Sequence, residues 1–340
     1  MNVIDLFSGV GGLSLGFEQN DFNVLFANEI DENISYSYKK NFPKTECLSK
    51  DILQIDLKKE FSRFKKKVSV IIGGPPCQGL SQKGKRKWFS DERNFLFRNF
   101  LQVVEIVKPE IVLIENVPNL ITADNGYFLK EITNFFNKID YKVNAKILHA
   151  NNFGVPQIRR RAFVLARKKD ISFELPENNK CKTTFIDSVS DLPELKSGEG
   201  EEYMPYIKQP QNSYQKEMRK NSKGILNHIS TKHSPLALER MKYMKIGGAR
   251  TDLPKEHLTG SIYSGTWSRI IPNSFTRTIT TRFDTPSSGQ FTLPYQDRCL
   301  TVREAARVQS FPDNFVFYGK KTHQMIQVGN AVPPMMANSI

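Results

Sequence analysis

Cysteine is scarce and scattered in this chain: four in 340 residues, at 47, 77, 181 and 299, with no Cys-x-x-Cys pair. That spacing argues against a disulfide framework and against a cysteine-built zinc site, so no metal is expected and a reducing cytosol is. No apolar run approaches the roughly 20 residues needed to span a bilayer. Met1 leads directly into an extended stretch, which leaves no room for a secretory leader. Internal repeats are absent. Acidic residues are also in deficit, 35 against 49 Lys and Arg, and the formal net charge is +14. Such a surplus points to a polyanionic partner.

What is present suffices for a sizeable core: 39% of residues are hydrophobic and 24 are phenylalanine. Up to about residue 168 the pattern alternates between strand and helix. Strands are expected at 2–7, 23–28, 68–73, 110–115, 143–149 and 161–167, with helices such as 94–107 and 128–139 between them. That alternation predicts an α/β fold built on a doubly wound, Rossmann-like sheet. From about 170 to 296 the sequence turns polar and irregular, rich in Ser, Thr, Pro and Lys. A helical pattern returns at 300–311. The expected organisation is a catalytic domain over 1–169, a smaller irregular domain over 170–296, and a return to the first domain over 297–340.

Two local features suggest a ligand site. Asp5 to Gly12 follows the first strand and precedes a helix, and its glycines permit a tight turn with close approach of a ligand. The dinucleotide fingerprint would need glycines at 9, 11 and 14, but position 14 is Ser, so a nicotinamide cofactor is disfavoured. Glu29 ends the second strand, where a carboxylate can bind ribose hydroxyls. Asp51 follows the next short extended stretch and can accept from an adenine amino group. The pair suggests an adenosine. The second feature is Gly-Gly-Pro-Pro-Cys-Gln at 73–78. It follows an apolar, β-branched run expected to be a parallel strand. Two glycines let the chain leave the sheet, and two prolines fix φ, holding Cys77 past the carboxyl end of the strand as a positioned nucleophile.

Phe-Ser-Gly-Val-Gly-Gly (7–12), Pro-Pro-Cys-Gln (75–78), Glu-Asn-Val (115–117), Gln-Ile-Arg-Arg-Arg (157–161), the block 298–313 and Gly-Asn-Ala-Val-Pro (329–333) occur in this order. Together they resemble the DNA cytosine-5 methyltransferases of the bacterial restriction–modification type. The resemblance covers both ends of the chain and leaves the middle unmatched in detail. It implies S-adenosyl-L-methionine as methyl donor and S-adenosyl-L-homocysteine as product. Phe7, Gly9 and Gly11 would line the cofactor, Glu29 and Ile30 its ribose side, and Asp51 and Ile52 its adenine. Pro76, Leu96 and Asn330 would complete the pocket. The family carries a further helix after the Gly-Asn block, which with the sequence ending at Ile340 is expected to be short or truncated.

The chemistry implied needs these residue types. Carbon 5 of cytosine is too weak a nucleophile to take a methyl group unaided, and a thiolate adding at carbon 6 makes the ring enamine-like. Cys77 has that role, given nearby cations to lower its pKa. Glu115, ending an apolar strand, would place a protonated carboxyl near ring nitrogen 3. Arg161, and with it Arg159, would hold the ring carbonyl and orient Glu115. The base that removes the carbon-5 proton is not identifiable, and water is one candidate. The target must also be flipped out of the duplex. The segment 81–88, with Ser81, Lys83, Lys85, Arg86 and Lys87, is expected to be a mobile basic loop closing over phosphates.

The middle domain would then be the target-recognition domain, reading double-stranded DNA in the major groove. Thr280 and Arg282 resemble the family's loop on the backbone beside the flipped base. Arg250, Arg269, Arg277, Arg282 and Gln290 are candidates for base edges. The expected setting is a cytoplasmic monomer, nucleoid-associated through DNA, with no membrane contact and with a cognate restriction endonuclease as a genetic partner. The alternative is a cytosine-5 transfer-RNA methyltransferase, which shares these motifs but has a much shorter insert between Arg161 and Arg298. A catalytically silent DNA-binding paralogue is disfavoured by the intact Cys77, Glu115 and Arg161.

Overall fold

In the computed structural model, residues 1–76, 95–177, 182–260 and 264–340 are described. Seven strands form one sheet: β1 (Asn2–Leu6), β2 (Asn23–Glu29), β3 (Glu46–Ser49), β4 (Val70–Gly73), β5 (Ile111–Asn116), β6 (Tyr141–His149) and β7 (Arg160–Lys168). Their spatial order is β3-β2-β1-β4-β5-β7-β6. The order reverses between β1 and β4, where an open α/β sheet presents its ligand crevice at the carboxyl ends of the strands. β7 runs antiparallel to both β5 and β6. The segment 150–159 between β6 and β7 is too short for a crossover helix, so the chain turns back instead.

The helices α1 (Gly12–Glu18), α2 (Glu32–Asn41), α3 (Leu57–Phe61), α4 (Phe95–Val107), α5 (Asn119–Thr122) and α6 (Tyr127–Lys138) belong to the same unit as this sheet. In α4, Phe97, Phe100, Leu101, Val104 and Val107 recur at helical spacing and are buried. In α6, Phe128, Ile132 and Phe136 form a similar stripe. Both stripes join Ile4, Leu6, Ile71, Val112 and Ile114 of the strands in one apolar cluster. Each such side chain contributes roughly 1.5–3 kcal/mol by leaving water. The unit comprises Met1–His149, Arg160–Asn179 and Met336–Ile340.

A second compact unit comprises Ala150–Arg159 and Lys180–Met335. It holds the short ribbon β8 (Tyr203–Met204) and β9 (Ile225–Leu226), and helices α7 (Phe185–Val189), α8 (Ser213–Arg219), α9 (Pro235–Tyr243), α10 (Val302–Val308) and α11 (Lys321–Asn330). The boundary differs from the one expected from sequence, since 297–335 clusters with the irregular segment and only Met336–Ile340 with the sheet. The cause lies in α10, whose residues are all buried within this unit. Arg303 donates to the carbonyls of Leu226, Pro312 and Phe315, and Arg307 pairs with Asp191 at 3.0 Å and Asp313 at 2.6 Å. Arg298 grips Glu304 with two 2.8 Å bonds. Burial pushes the Glu304 carboxyl up, but Arg298 outweighs it and holds the pKa at about 2. These carboxylates sit at 191, 304 and 313, so the irregular segment and the late helix form one buried ionic core. The helix after the Gly-Asn block is short, Pro334–Asn338. Among the described residues, no helix is long and apolar enough to cross a membrane.

Candidate active site

The turn after β1 takes a shape that most side chains resist. Phe7 and Gly9 both have φ of 56°, and Gly11 has φ of 96°. A Cβ on Gly11 would meet the Phe42 ring at 2.4 Å and the Tyr38 ring at 2.8 Å, so conformation and space both require glycine there. Glu29, at the end of β2, accepts the Gly9 N–H through Oε2 at 3.0 Å and the Asp31 N–H through Oε1 at 2.9 Å. Burial raises the pKa of its carboxyl, against the lowering effect of these N–H donors. Ile30 beside it is 62% exposed, an apolar surface with nothing packed over it among the described residues. Asn28 donates to the carbonyls of Leu48 and Lys50, at 3.1 and 2.8 Å, and so ties the end of β3 and the start of the Asp51 turn to β2. Asp51 accepts the Leu53 N–H at 3.0 Å, and Ile52 is buried. Leu96 is half-buried in the first turn of α4.

These residues fit an adenosine-containing cofactor. A Cβ built on Gly9 finds nothing within 4 Å, so the turn borders open space, next to a carboxylate and an exposed apolar side chain. Phe7, Gly9 and Gly11 follow β1, Glu29 and Ile30 stand at the end of β2, and Asp51 follows β3, so all lie past the ends of successive strands.

Beneath this turn lies a group that sequence reasoning did not mark as functional. Asp5 is fully buried within β1; its Oδ2 lies 2.6 Å from Ser14 Oγ, which lies 2.7 Å from Tyr38 Oη. Burial raises the Asp5 pKa to about 7, more than the hydrogen bond from Ser14 lowers it. The available signal was a lone carboxylate inside an apolar strand, followed by Ser14 where a dinucleotide fold carries glycine.

At the neighbouring strand ends, β4 leads into Gly74, buried Pro75 and exposed Pro76. Asn116 Nδ2 donates to the Pro75 carbonyl at 2.8 Å and so fixes this turn to β5. Glu115 Oε1 lies 2.8 Å from Arg161 Nε, with side chains 12% and 16% exposed respectively. Arg161 Nη1 also donates to the Arg160 carbonyl at 2.8 Å. A Cβ on Gly74 would stand 3.1 Å from Glu115 Oε2, so the glycine–proline turn passes directly by the carboxylate. The chain thus brings a carboxylate, a guanidinium and the turn leading to residue 77 to one corner of the sheet. Cys77, Ser81, Lys83, Lys85, Arg86 and Lys87 lie outside the described residues.

Arg159, expected with Arg161 at the ring carbonyl, belongs to the second unit. It is buried and donates through Nη1 to the Ile279 carbonyl at 3.1 Å and through Nη2 to the Gly329 carbonyl at 3.0 Å. Gln157 accepts the Ile279 N–H at 2.7 Å and donates to Gln309 at 2.7 Å; Gln309 in turn donates to the Val328 carbonyl at 2.7 Å. These bonds fasten the segment 278–282 to the end of α11, at which Asn330 is exposed. Thr280 Oγ1 bonds the Arg282 carbonyl at 2.9 Å, and Arg282 extends outward, paired with Asp284 at 3.0 Å.

Two of the base-edge candidates are structural. Arg269 donates to the carbonyls of Met244, Leu293, Gln296 and Met241 and pairs with Asp297. Gln290 is buried on Ser268 and the Arg269 carbonyl. Arg277 is exposed, bonded to Ser264 Oγ at 2.7 Å. Arg250 donates to the Thr259 carbonyl at 2.5 Å.

Comparison with known proteins agrees with this fold. Residues 1–340 match the family described as C-5 cytosine-specific DNA methylase. The chain is 38% identical to the Type II methyltransferase M1.HphI of Haemophilus parahaemolyticus, covering 100% of this chain and 85% of that one. It is 34% identical to M.DdeI of Desulfomicrobium norvegicum, covering 100% and 87%. Among solved structures, a protein assigned as a prophage-encoded DNA modification methyltransferase of E. coli superimposes with a TM-score of 0.80 at 30% identity, covering 100% and 97%. The Dnmt2 methyltransferase of S. pombe shares the fold at 19% identity and a TM-score of 0.61. The chain belongs to the family of C-5 cytosine-specific DNA methylases, the enzymes that methylate carbon 5 of cytosine in DNA.

Proposed function

We propose that this enzyme methylates a cytosine within a specific double-stranded DNA sequence, through a transient bond from Cys77 to carbon 6 of the flipped base. The observation that carries the reading is the 2.8 Å Glu115–Arg161 pair beside the turn that leads into Cys77.

Bound S-adenosylmethionine supplies an electrophilic methyl group. Phe7, Gly9, Gly11, Glu29, Ile30, Asp51, Ile52, Pro76, Leu96 and Asn330 are the residues assigned to hold it. The Cys77 thiolate adds to carbon 6, and the displaced electron pair moves onto the ring toward nitrogen 3. A proton on Glu115 hydrogen-bonded at nitrogen 3 stabilises that charge, and Arg161 both orients Glu115 and donates toward the ring carbonyl. Once carbon 5 carries the methyl group, water takes its proton, the electron pair left behind re-forms the double bond between carbons 5 and 6, and the Cys77 thiolate is expelled. Arg159 is assigned a structural role, fastening the segment 278–282 to the end of α11.

The second unit is assigned to target recognition, with Thr280 and Arg282 on the DNA backbone and Arg277 toward the bases. Ser81, Lys83, Lys85, Arg86 and Lys87 are assigned to phosphate contacts, in keeping with a net charge of +14. The names of the Type II relatives support a place in a restriction–modification system, in which methylation protects host DNA from a partner endonuclease. The enzyme would act as a monomer.

Bisulfite sequencing of DNA from expressing cells identifies the target. A duplex carrying 5-fluorocytosine at that position should then trap a covalent adduct, because carbon 5 has no proton to lose, and peptide mapping should place it on Cys77. Methyl incorporation into transfer RNA with none into duplex DNA would overturn the reading, as would an adduct on another residue.

A further inference from the structure

Ser14 stands where a dinucleotide-binding turn carries glycine, and the structure gives it a task. Its hydroxyl bridges Asp5 of β1, at 2.6 Å, and Tyr38 of α2, at 2.7 Å, in a fully buried relay. Oδ1 of Asp5 has no hydrogen-bond partner among the described residues. The Tyr38 ring lies 4.5 Å from that of Phe42, and both rings fill the space that a Cβ on Gly11 would take. The turn itself is held by Gly11 N–H on the Ser8 carbonyl and Ser8 N–H on the Asn28 carbonyl, each at 3.0 Å. Any movement of Tyr38 is therefore felt at Gly11.

We propose that Asp5, Ser14 and Tyr38 are positioning residues for methyl transfer: their relay fixes the glycine turn in its cofactor-binding shape, and the proton on Asp5 sets which way its hydrogen bonds run. The proposal rests on the assignment of Phe7, Gly9 and Gly11 to the cofactor. An ionised Asp5 only accepts, so Tyr38 donates to Ser14 and Ser14 to Asp5, and all hydroxyl protons are used. A protonated Asp5 leaves one buried donor stranded. If it donates to Ser14, the chain reverses and the Tyr38 proton loses its acceptor; if the proton sits on Oδ1, that oxygen donates to nothing. The ionised form thus orders the turn, while burial penalises its charge, and the balance falls near pH 7.

The groups that face the relay are Glu29 on β2, Cys47 on β3 and Glu18 on α1, with Lys39 and Lys44 beyond them. Burial pushes Cys47 up to about 11 and Tyr38 well above its ordinary value, so neither titrates near neutrality. Burial also raises Glu29 and Glu18, which are the rivals for a pH effect, and Glu29 is the one in the assigned cofactor site.

The test is calorimetric affinity for S-adenosylhomocysteine between about pH 6 and about pH 8.5, where a pKa moved by one unit on binding changes Kd tenfold. The wild-type enzyme should bind about fivefold tighter at the upper end, and Asp5→Asn should show a flat profile with a native circular-dichroism spectrum. Tyr38→Phe, which cuts the hydrogen bond between Ser14 and the ring beside Gly11, should uncouple the turn from Asp5 and flatten it as well. Glu29→Gln should weaken binding and keep the pH break. A wild-type profile without a break, or a break that survives Asp5→Asn and vanishes in Glu29→Gln, would overturn the relay and leave the cofactor assignment intact. Absence of binding at every pH would instead remove the cofactor assignment, and the relay's role with it.

Discussion

Arg161 reaches from β7 to place its Nε 2.8 Å from Glu115 on the antiparallel neighbour β5, and neither side chain is wholly withdrawn from solvent. A structural ion pair would have no need of that access, whereas a pair that meets a flipped base does. Glu115→Gln keeps the shape and loses the transferable proton, so methyl transfer should fall by about 10²–10⁴-fold, the usual worth of a general acid. Affinity for S-adenosylhomocysteine should stay within about twofold, because Glu115 lies outside the residues assigned to the cofactor. Arg161→Lys keeps the charge but cannot reproduce the planar fork, and should lose roughly 10–100-fold. Single-turnover rates with excess cofactor measure both. A Glu115→Gln enzyme with near-normal turnover would remove the carboxyl from the chemistry.

Arg159 should behave differently from Arg161, although two positions separate them. Its guanidinium satisfies the carbonyls of Ile279 and Gly329 inside the second unit. Arg159→Ala would leave both buried carbonyls short of a donor, at about 1–3 kcal/mol each. Gly329→Ala should be as damaging, because a Cβ there would stand 2.3 Å from the Thr280 carbonyl oxygen, which is backbone and cannot rotate aside. Thermal melts should show both variants well below the wild type, and Arg161→Ala close to it. Equal melting temperatures for Arg159→Ala and Arg161→Ala would argue against the clamp.

Strand and helix positions in the first unit were legible in the sequence because burial there follows simple periods. The stripes at 97, 100, 101 and 104 and at 128, 132 and 136 can be read without coordinates. Two things could not. β3 (Glu46–Ser49) is short and mostly half-exposed, so the sequence showed only an extended stretch before Asp51 and not a strand of the sheet. The reversal of β7 depends on the length of its connection, while an apolar strand looks the same in either direction. For the site, motif order located Glu115 and Arg161, which structure brings together. It could not tell Arg159 from Arg161, since identical residues differ only in what lies around them. Arg269 and Gln290 failed as base readers for the same reason: polar type suggested exposure, and the irregular unit buries polar groups by bonding them to its own carbonyls.

That difference separates folding from recognition within the second unit. Arg269→Ala should unfold the unit or lower its melting temperature sharply, because four carbonyls and Asp297 depend on one side chain. Arg282, 60% exposed, should be neutral for stability. If it meets a phosphate, Arg282→Gln should weaken binding alike for cognate and unrelated duplexes and reduce the slope of log affinity against log salt by about one. Fluorescence anisotropy at several salt concentrations reports this directly. An unchanged slope would place Arg282 off the backbone.

The buried carboxyl of Asp5 also makes a prediction about stability, independent of any ligand. Its pKa rises from 3.8 to about 7 on folding, chiefly because burial penalises the charge. Between those values the folded state holds a proton that the unfolded state has released, so stability falls as pH rises through this window. Above pH 8 the full cost is present, up to about 4 kcal/mol for a displacement of this size. Asp5→Asn carries no charge to desolvate and should escape that cost. The variant should therefore melt higher than the wild type at pH 8, and the gap should shrink steadily as pH is lowered toward 5. Glu29 shifts in the same direction and its charge raises the Asp5 pKa further, so the comparison is repeated in a Glu29→Gln background, where the gap should keep its pH dependence. Denaturant midpoints at matched ionic strength, taken at several pH values, measure the gap. A gap that does not depend on pH would mean that Asp5 is not the group that titrates. A side chain retained at such a cost to stability is better explained by the cofactor turn above it than by the fold, which a neutral isostere would serve as well.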